Sequence, residues 1–237
     1  MKILITNDDG WDAPGLKALC EVARDFGDIA VVAPKNQQSG VSHQLTLDRP
    51  IELVQRAPDV WSLDGTPADC VRIAVTQMED FKFDLVLSGI NNGGNLGADV
   101  FVSGTVAAAR ESAIHGVPAI AISQHRLRYS DPYDWTFTRE VADRILKHCM
   151  KSLPGSDQYF NINLPDFCDF DQVPNFEIVD PAALDRSPLP VKYETSKDDD
   201  AVRFTYAGKY GDRLRTPGSD IDVCFSKNVS LTRLSLP

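Results

Sequence analysis

No apolar run in this 237-residue sequence approaches the roughly 20 residues that cross a bilayer as a helix. Its first residues lack the basic-then-apolar pattern of a secretory leader, so the expected location is cytoplasmic. Cysteine is sparse: Cys20, Cys70, Cys149, Cys168 and Cys224 are odd in number and scattered, with no Cys-x-x-Cys pair. That argues against a disulfide framework or a thiolate zinc site and for reduced thiols. Positive charge is in deficit, with 24 Lys and Arg against 34 Asp and Glu. A net charge of −10 excludes general affinity for nucleic-acid polymers or anionic membranes. It leaves a small anionic ligand open, because one metal ion or one helix terminus reverses the field locally.

What is present is ordinary for a globular protein, 43% hydrophobic and 24% charged, and long enough to bury a substantial core. The first half alternates strand-like and helix-like segments. Strands are expected at residues 2–6, 29–32, 83–87 and 117–123, and helices at 15–26 and 104–115. Thr66-Pro67 reads as a helix start, with Thr as N-cap, Pro at the first helical position and Asp69 in the first turn. This β-α-β-α rhythm predicts an α/β fold: a Rossmann-like, doubly wound, mostly parallel sheet. An amphipathic helix at 135–150 and a strand at 159–164 follow. Beyond about residue 166, Pro, Asp and Ser become frequent and short alternating strands are expected at 191–195, 202–207 and 229–234. Asp198, Asp199 and Asp200 read as a solvated hairpin tip. The expected division is a catalytic core over residues 1–179 and a smaller β-rich C-terminal extension over 180–237.

Four segments fall where such a sheet collects ligand sites, beyond the carboxyl ends of its strands. The first, Asn7-Asp8-Asp9-Gly10, follows the first strand. Neighbouring side chains in a regular strand point to opposite faces, so two Asp carboxylates converge only where the strand ends and the backbone turns, as Gly10 permits. Two hard oxygen ligands there suit Mg²⁺ or Mn²⁺; the plain alternative is a solvated Asp-Asp-Gly turn. The second, Asn36-Gln37-Gln38-Ser39-Gly40, is an uncharged polar loop past the second strand, able to supply one neutral ligand. The third runs from Ser88 to Gly97 with four glycines and three asparagines in ten residues, which suits close backbone approach to a ligand. Its spacing fits neither the Walker pattern nor the dinucleotide fingerprint, which disfavours a nucleoside triphosphate or NAD. The fourth, Ser103-Gly104-Thr105-Val106, opens an Ala-rich helix, where hydroxyls and free backbone N–H groups form an anion cradle or an ordinary N-cap.

Together with Ala33-Pro34, with Gly65-Thr66-Pro67-Ala68-Asp69-Cys70 and with Asn161-Ile162-Asn163-Leu164-Pro165, these segments resemble the SurE family in the right order. These are the stationary-phase survival proteins, metal-dependent nucleoside monophosphate phosphatases. The resemblance implies that Asp8, Asp9, Ser39 and Asn91 hold one divalent metal ion per subunit. It implies that Asn95, Ser103, Gly104 and Thr105 contact the phosphate. It also implies that the C-terminal arm reaches a second subunit, giving a homodimer, with further pairing to a tetramer open. Two departures stand out: Gly93-Gly94-Asn95 where members often carry Gly-Pro-Asn, and Ser230-Leu231-Thr232-Arg233-Leu234 without the family's proline.

The activity so implied is hydrolysis of nucleoside 5′-monophosphates, with 3′ isomers and short polyphosphate open, Asp8 orienting the attacking water. Two competitors are weighed. Asp8 as a covalent nucleophile, as in haloacid-dehalogenase-type enzymes, needs Asp-x-Asp, whereas the carboxylates here are adjacent. A nucleotide-sensing protein without turnover would use the same loops, but a pure anion binder gains little from carboxylates beside its ligand. Of the four histidines, His43 is near enough to Ser39 to be considered as a proton donor, His115 reads as a helix end, and His148 as packing or surface. Trp11, Trp61 and Trp135 read as core, while Tyr129, Tyr133 and Trp135 lie on a segment able to reach the site.

Overall fold

Successive residues of the first strand, β1 (Lys2–Thr6), bury on opposite faces of a sheet, Ile3 and Ile5 in one core and Leu4 in the other. That alternation sets the plan of the computed structural model, which describes residues 1–78, 80–127, 133–155, 157–198 and 200–237. After β1 come α1 (Pro14–Ala23), β2 (Asp28–Pro34), β3 (Leu53–Ala57), β4 (Val60–Leu63), α2 (Pro67–Gln77) and β5 (Leu85–Asn92). Then follow α3 (Gly104–Ile114), β6 (Ala119–Gln124), α4 (Thr136–Cys149), β7 (Gln158–Leu164) and β8 (Ile178–Val179). The described chain closes with β9 (Tyr193–Asp198), β10 (Ala201–Tyr206), α5 (Asp220–Phe225) and β11 (Val229–Ser235).

Nine strands form one sheet in the order β3-β4-β2-β1-β5-β6-β7-β11-β8. From β4 to β7 every neighbour is parallel, and antiparallel pairs occur only at β3–β4 and β7–β11. Leu16, Leu19 and Val22 of α1 and Val141, Ile145 and Leu146 of α4 cover one face. Cys70, Val71 and Ala74 of α2 and Val106, Ala108, Ala109 and Ala113 of α3 cover the other. This is the doubly wound α/β sheet expected from the sequence, with an additional antiparallel hairpin, β9–β10, in its C-terminal part. The chain leaves β1 for β2 and β4 on one side and returns through α2 to β5 on the other, so the topological switch point lies between β1 and β5.

The expected start of α2 is present in full. Thr66 Oγ1 accepts from the Asp69 N–H at 3.1 Å and Asp69 Oδ2 accepts from the Thr66 N–H at 2.9 Å, a reciprocal capping box. Three segments depart from expectation. The β3–β4 hairpin was not foreseen; it turns through Asp59, whose φ of 56° is one of the few left-handed non-glycine conformations. Residues 88–92, read as loop, continue β5 and pair with β6 across a bulge between Ser88 and Asn91. The short helix α5 was not foreseen. Of the extension over 180–237, β11 lies inside the main sheet between β7 and β8, and only β9–β10 forms a sheet of its own. Asp198 ends β9 as part of its pairing with Ala201, and Asp199 lies outside the described residues.

Candidate active site

Asp8 and Asp9 leave the end of β1 at the switch point, and Asn7 fixes the turn by accepting from the Gly10 N–H at 3.1 Å and donating to the Gly10 carbonyl at 3.0 Å. Gly10 holds a φ of +116°, a region that a side chain would disfavour. The loop after β2 folds over this turn: the Gln38 N–H donates to the Asp8 carbonyl at 2.7 Å, and the Gln37 amide donates to Ser39 Oγ at 2.8 Å. Asn91 and Asn92 close it from β5, the Asn92 N–H donating to Asp9 Oδ2 at 3.2 Å and the Asn91 amide to the Gly93 carbonyl at 2.8 Å. That last bond is made by the Asn91 amide nitrogen and does not use its side-chain oxygen.

The N-terminus of α3 packs directly on Asp8. Ser103 is its N-cap, accepting from the Val106 N–H at 3.1 Å, and Thr105 Oγ1 donates to Asp8 Oδ1 at 2.5 Å. Thr105 therefore gives its single hydroxyl proton to the carboxylate. Gly104 is required by closeness alone: a Cβ there would lie 2.8 Å from Asp8 Cβ and 3.2 Å from Asp8 Oδ2.

Asp8, Asp9, Ser39, Asn91, Asn95 and Ser103 line one cavity of about 250 Å³. Sequence reasoning missed other residues in its wall. Gln37 and Asn92 adjoin residues that were singled out, and Asp99 stands between two motifs. Leu189 and Tyr210 arrive from the far end of the chain, where no local pattern marks them. Tyr210 donates to Asp99 Oδ2 at 2.8 Å, and Arg213, its side chain fully buried, pairs with the same oxygen. Leu96 packs beneath them with Ile221 and Cys224. The C-terminal segment thus braces the loop that carries Asn95.

Burial, and then the charge of Asp9, push the Asp8 carboxyl up from 3.8 to about 7, against hydrogen bonds from Thr105 and from backbone N–H groups. Burial raises Asp9 as well, opposed by bonds from Asn92 and Gln37. No cationic side chain is among the groups that lower either one. Among the described residues no cluster of three or more His, Cys, Asp or Glu could hold a metal ion. A cation here would take two carboxylates and complete its shell with neutral oxygens such as those of Ser39 and Asn91. An oxygen-only set of that kind fits a hard divalent ion.

The histidines stand elsewhere. His43, considered as a proton donor, is held by Glu111 Oε2 at 2.8 Å and is not in the cavity wall. His115 caps the C-terminal end of α3, as expected, and bonds Glu111 Oε1 at 3.0 Å. His148 bonds Asp180 at 2.9 Å. His125 is buried in a cluster of three rings, stacked on Phe225 and tilted against Tyr210, which also touch each other, and burial lowers its pKa to about 4. Trp11, Trp61 and Trp135 pack against the cores as expected. Tyr133 stacks edge-on to Trp135 and lies under the Arg126 guanidinium, while Tyr129 lies outside the described residues.

Fold and cavity together define a class: a doubly wound α/β protein with paired carboxylates and an N-capped helix start meeting at the switch point of its sheet. Within that class the chain belongs to the SurE family, whose model, described as "Survival protein SurE", matches residues 3–183. A relative from Nostoc sp. is 46% identical over 99% of both chains. A protein named 5′-nucleotidase SurE from Acinetobacter baumannii is 47% identical, covering 70% of this chain and 66% of that protein. The crystal structure of the SurE protein from Aquifex aeolicus superposes with a TM-score of 0.87 at 32% identity, over 100% of this chain and 94% of that one.

Proposed function

We propose that this chain is a metal-dependent 5′-nucleotidase, a phosphoric monoester hydrolase that converts nucleoside 5′-monophosphates to nucleoside and phosphate. The observation that carries the reading is the meeting, in one cavity, of the N-terminus of α3 with two carboxylates that no cationic side chain among the described residues lowers. The relatives named 5′-nucleotidase SurE support the choice of substrate. Activity on 3′ isomers and short polyphosphate belongs to the same proposal, because the phosphate-receiving groups do not depend on where the ester is attached.

One divalent ion per subunit, Mg²⁺ or Mn²⁺, held by Asp8, Asp9, Ser39 and Asn91, supplies positive charge to the phosphoryl oxygens and acidity to a water. Asp8 is the residue that orients the attacking water, and Thr105 keeps its carboxylate in place. The Gly104 N–H at the start of α3 and the Ser103 hydroxyl receive the phosphoryl oxygens, the Thr105 and Val106 N–H groups being engaged by Asp8 and Ser103, and Asn95 adds its amide from another part of the same cavity lining. These donors are fixed before the substrate arrives, so they follow the redistribution of charge in the transition state without reorganising.

The core over 1–179 is proposed as the catalytic unit, and the extension over 180–237 as the source of contacts in a homodimer, with a tetramer as its further pairing. The β9–β10 hairpin supports this: every residue of its two strands is exposed, Phe204 by 66% and Val202 by 50%, and an unpaired ribbon with apolar side chains is normally covered. A cytoplasmic location is in keeping with five free cysteines, and among the described residues no helix is long and apolar enough to cross a membrane.

Release of inorganic phosphate from a panel of nucleotides, with Mg²⁺ or Mn²⁺ and with chelator, tests the proposal. Metal-dependent release from nucleoside 5′-monophosphates is expected. Binding without release from any substrate and with either metal would favour a nucleotide-sensing protein instead.

A further inference from the structure

Among the described residues, the backbone N–H and carbonyl of Asn95 are both held by side chains of a distant strand. Asn163 Oδ1 accepts from the Asn95 N–H at 2.7 Å and Asn163 Nδ2 donates to the Asn95 carbonyl at 3.1 Å. Asn161 Nδ2 donates to that carbonyl at 2.8 Å. The Asn95 side chain is fixed in turn, its Nδ2 donating to Ser123 Oγ at 2.8 Å. Asn161 and Asn163 are alternate residues of β7 and point to the same face of the sheet; Ser123 of β6 pairs with Asn163. All three are fully buried.

Amides and hydroxyls are costly in such positions unless hydrogen-bonded. An apolar residue would suit the middle of a parallel sheet better, as Phe160, Ile162 and Leu164 do on the opposite face of the same strand. The polar groups that are hydrogen-bonded converge on one target, while Asn161 Oδ1 is buried with no partner among the described residues. A side-chain amide offers an acceptor and a donor side by side, as a neighbouring peptide bond would, and Asn163 sets this pair against both backbone groups of Asn95. Ser123 then takes one of the two Asn95 amide protons, leaving the other proton and the carbonyl oxygen to be directed by that bond.

We propose that Asn163, with Asn161 and Ser123, is a positioning residue for the phosphate contact at Asn95, holding its backbone and its amide in the orientation that meets a phosphoryl group. The inference rests on the reading of Asn95 as a phosphate contact. A displacement of about 1 Å in such a group lowers turnover by roughly 10²-fold, so losing the clamp is read in turnover.

The test compares Asn95→Ala, Asn163→Leu, Ser123→Ala and the Asn95→Ala/Asn163→Leu double variant of the full chain. Each is measured for kcat and KM on a nucleoside 5′-monophosphate, for inhibition by inorganic phosphate, and for half-saturation by Mn²⁺. Expected for Asn163→Leu and Ser123→Ala is a loss of kcat/KM of roughly 10- to 100-fold. Phosphate inhibition weakens in parallel and Mn²⁺ half-saturation changes by less than about twofold. In the Asn95→Ala background, Asn163→Leu has little further effect, because the side chain it positions is gone. Wild-type kcat, KM and phosphate inhibition in both single variants would overturn the proposal, as would losses that multiply undiminished in the double variant. Should Asn163→Leu fail to fold, Ser123→Ala decides alone, since it deletes one hydroxyl and leaves the β7 clamp in place. Unchanged turnover and phosphate inhibition in Asn95→Ala would overturn the phosphate contact itself, a result separate from failure of the clamp.

Discussion

The hydroxyl of Thr105 reaches the carboxylate of Asp8 at 2.5 Å across 97 positions of sequence. The bond joins the first turn of α3 to the end of β1 and opposes the burial and the Asp9 charge that hold Asp8 up at about 7. Both carboxyls are raised by burial, and among the described residues no cationic side chain lowers either, which is the electrostatic ground for the cation proposed above.

Asp8→Asn and Asp9→Asn should each lower metal-dependent phosphate release by at least about 100-fold while leaving the fold intact. The metal-free protein behaves oppositely. A carboxyl raised from 3.8 to about 7 on folding binds its proton more tightly in the folded state, so stability falls as pH rises between those values. Asp8→Asn removes that loss, and its thermal midpoint at pH 8 with chelator should equal or exceed wild type. Full activity in either variant would remove that residue from the metal site.

Ser39→Ala and Asn91→Ala take away neutral oxygens, not charge. About a tenfold loss is expected at limiting Mn²⁺, with partial recovery as the metal is raised. A loss that is indifferent to metal concentration would point to substrate contact or to loop structure.

Glu111 sits fully buried on α3, bonded by Arg72 at 2.6 Å, His43 at 2.8 Å and His115 at 3.0 Å. Burial alone would raise its carboxyl, but the bonds from His43 and Arg72, the Arg72 charge and the His115 bond outweigh it and bring the value from 4.5 to about 2. A depressed carboxyl stabilises the fold above its unfolded value and loses that contribution as pH falls from 4.5 towards about 2. Glu111→Gln should flatten the acid-unfolding curve in this window. At pH 7 it should cost about 2–3 kcal/mol, read as a thermal midpoint lower by roughly 4–12 °C. An unchanged midpoint would show that the cluster is not structural.

Removing residues 193–206 should convert the assembly to monomers. The Ala207 N–H already donates to the Lys192 carbonyl at 2.9 Å, so a short turn can close the gap. Light scattering on the full chain and on this deletion decides; a full-length chain that is monomeric at micromolar concentration refutes the arm.

The core elements were legible because single residues carried single messages. Alternation in β1 announced a sheet buried on both faces, and Thr66, Pro67 and Asp69 spelled out a helix start that the structure reproduces bond for bond. The β3–β4 hairpin was not, because Gln55, Arg56 and Ala57 are exposed at the sheet edge and show no apolar period. Residues 88–92 looked like loop because glycine and asparagine disfavour strands, yet Gly89 passes so close to the Ile122 carbonyl that a Cβ would lie 2.3 Å from it. At the cavity, motif residues were visible because they cluster beside strand ends. Asp99, Tyr210 and Arg213 were not, since their meeting is a matter of tertiary docking, with 111 to 114 positions between the partners.

The place of β11 has a consequence for how the protein is made. In the sheet it separates β7 from β8, yet in the chain it follows both of them, the hairpin and α5. Synthesis from the N-terminus therefore delivers β7 with one side bare, and that side stays bare until residues 229–235 emerge. Ribosomes add on the order of 5–20 residues per second, so the nascent chain carries an open parallel-sheet edge for seconds. A chain released at residue 226 should aggregate where the full chain stays soluble, the difference being measurable by sedimentation after expression.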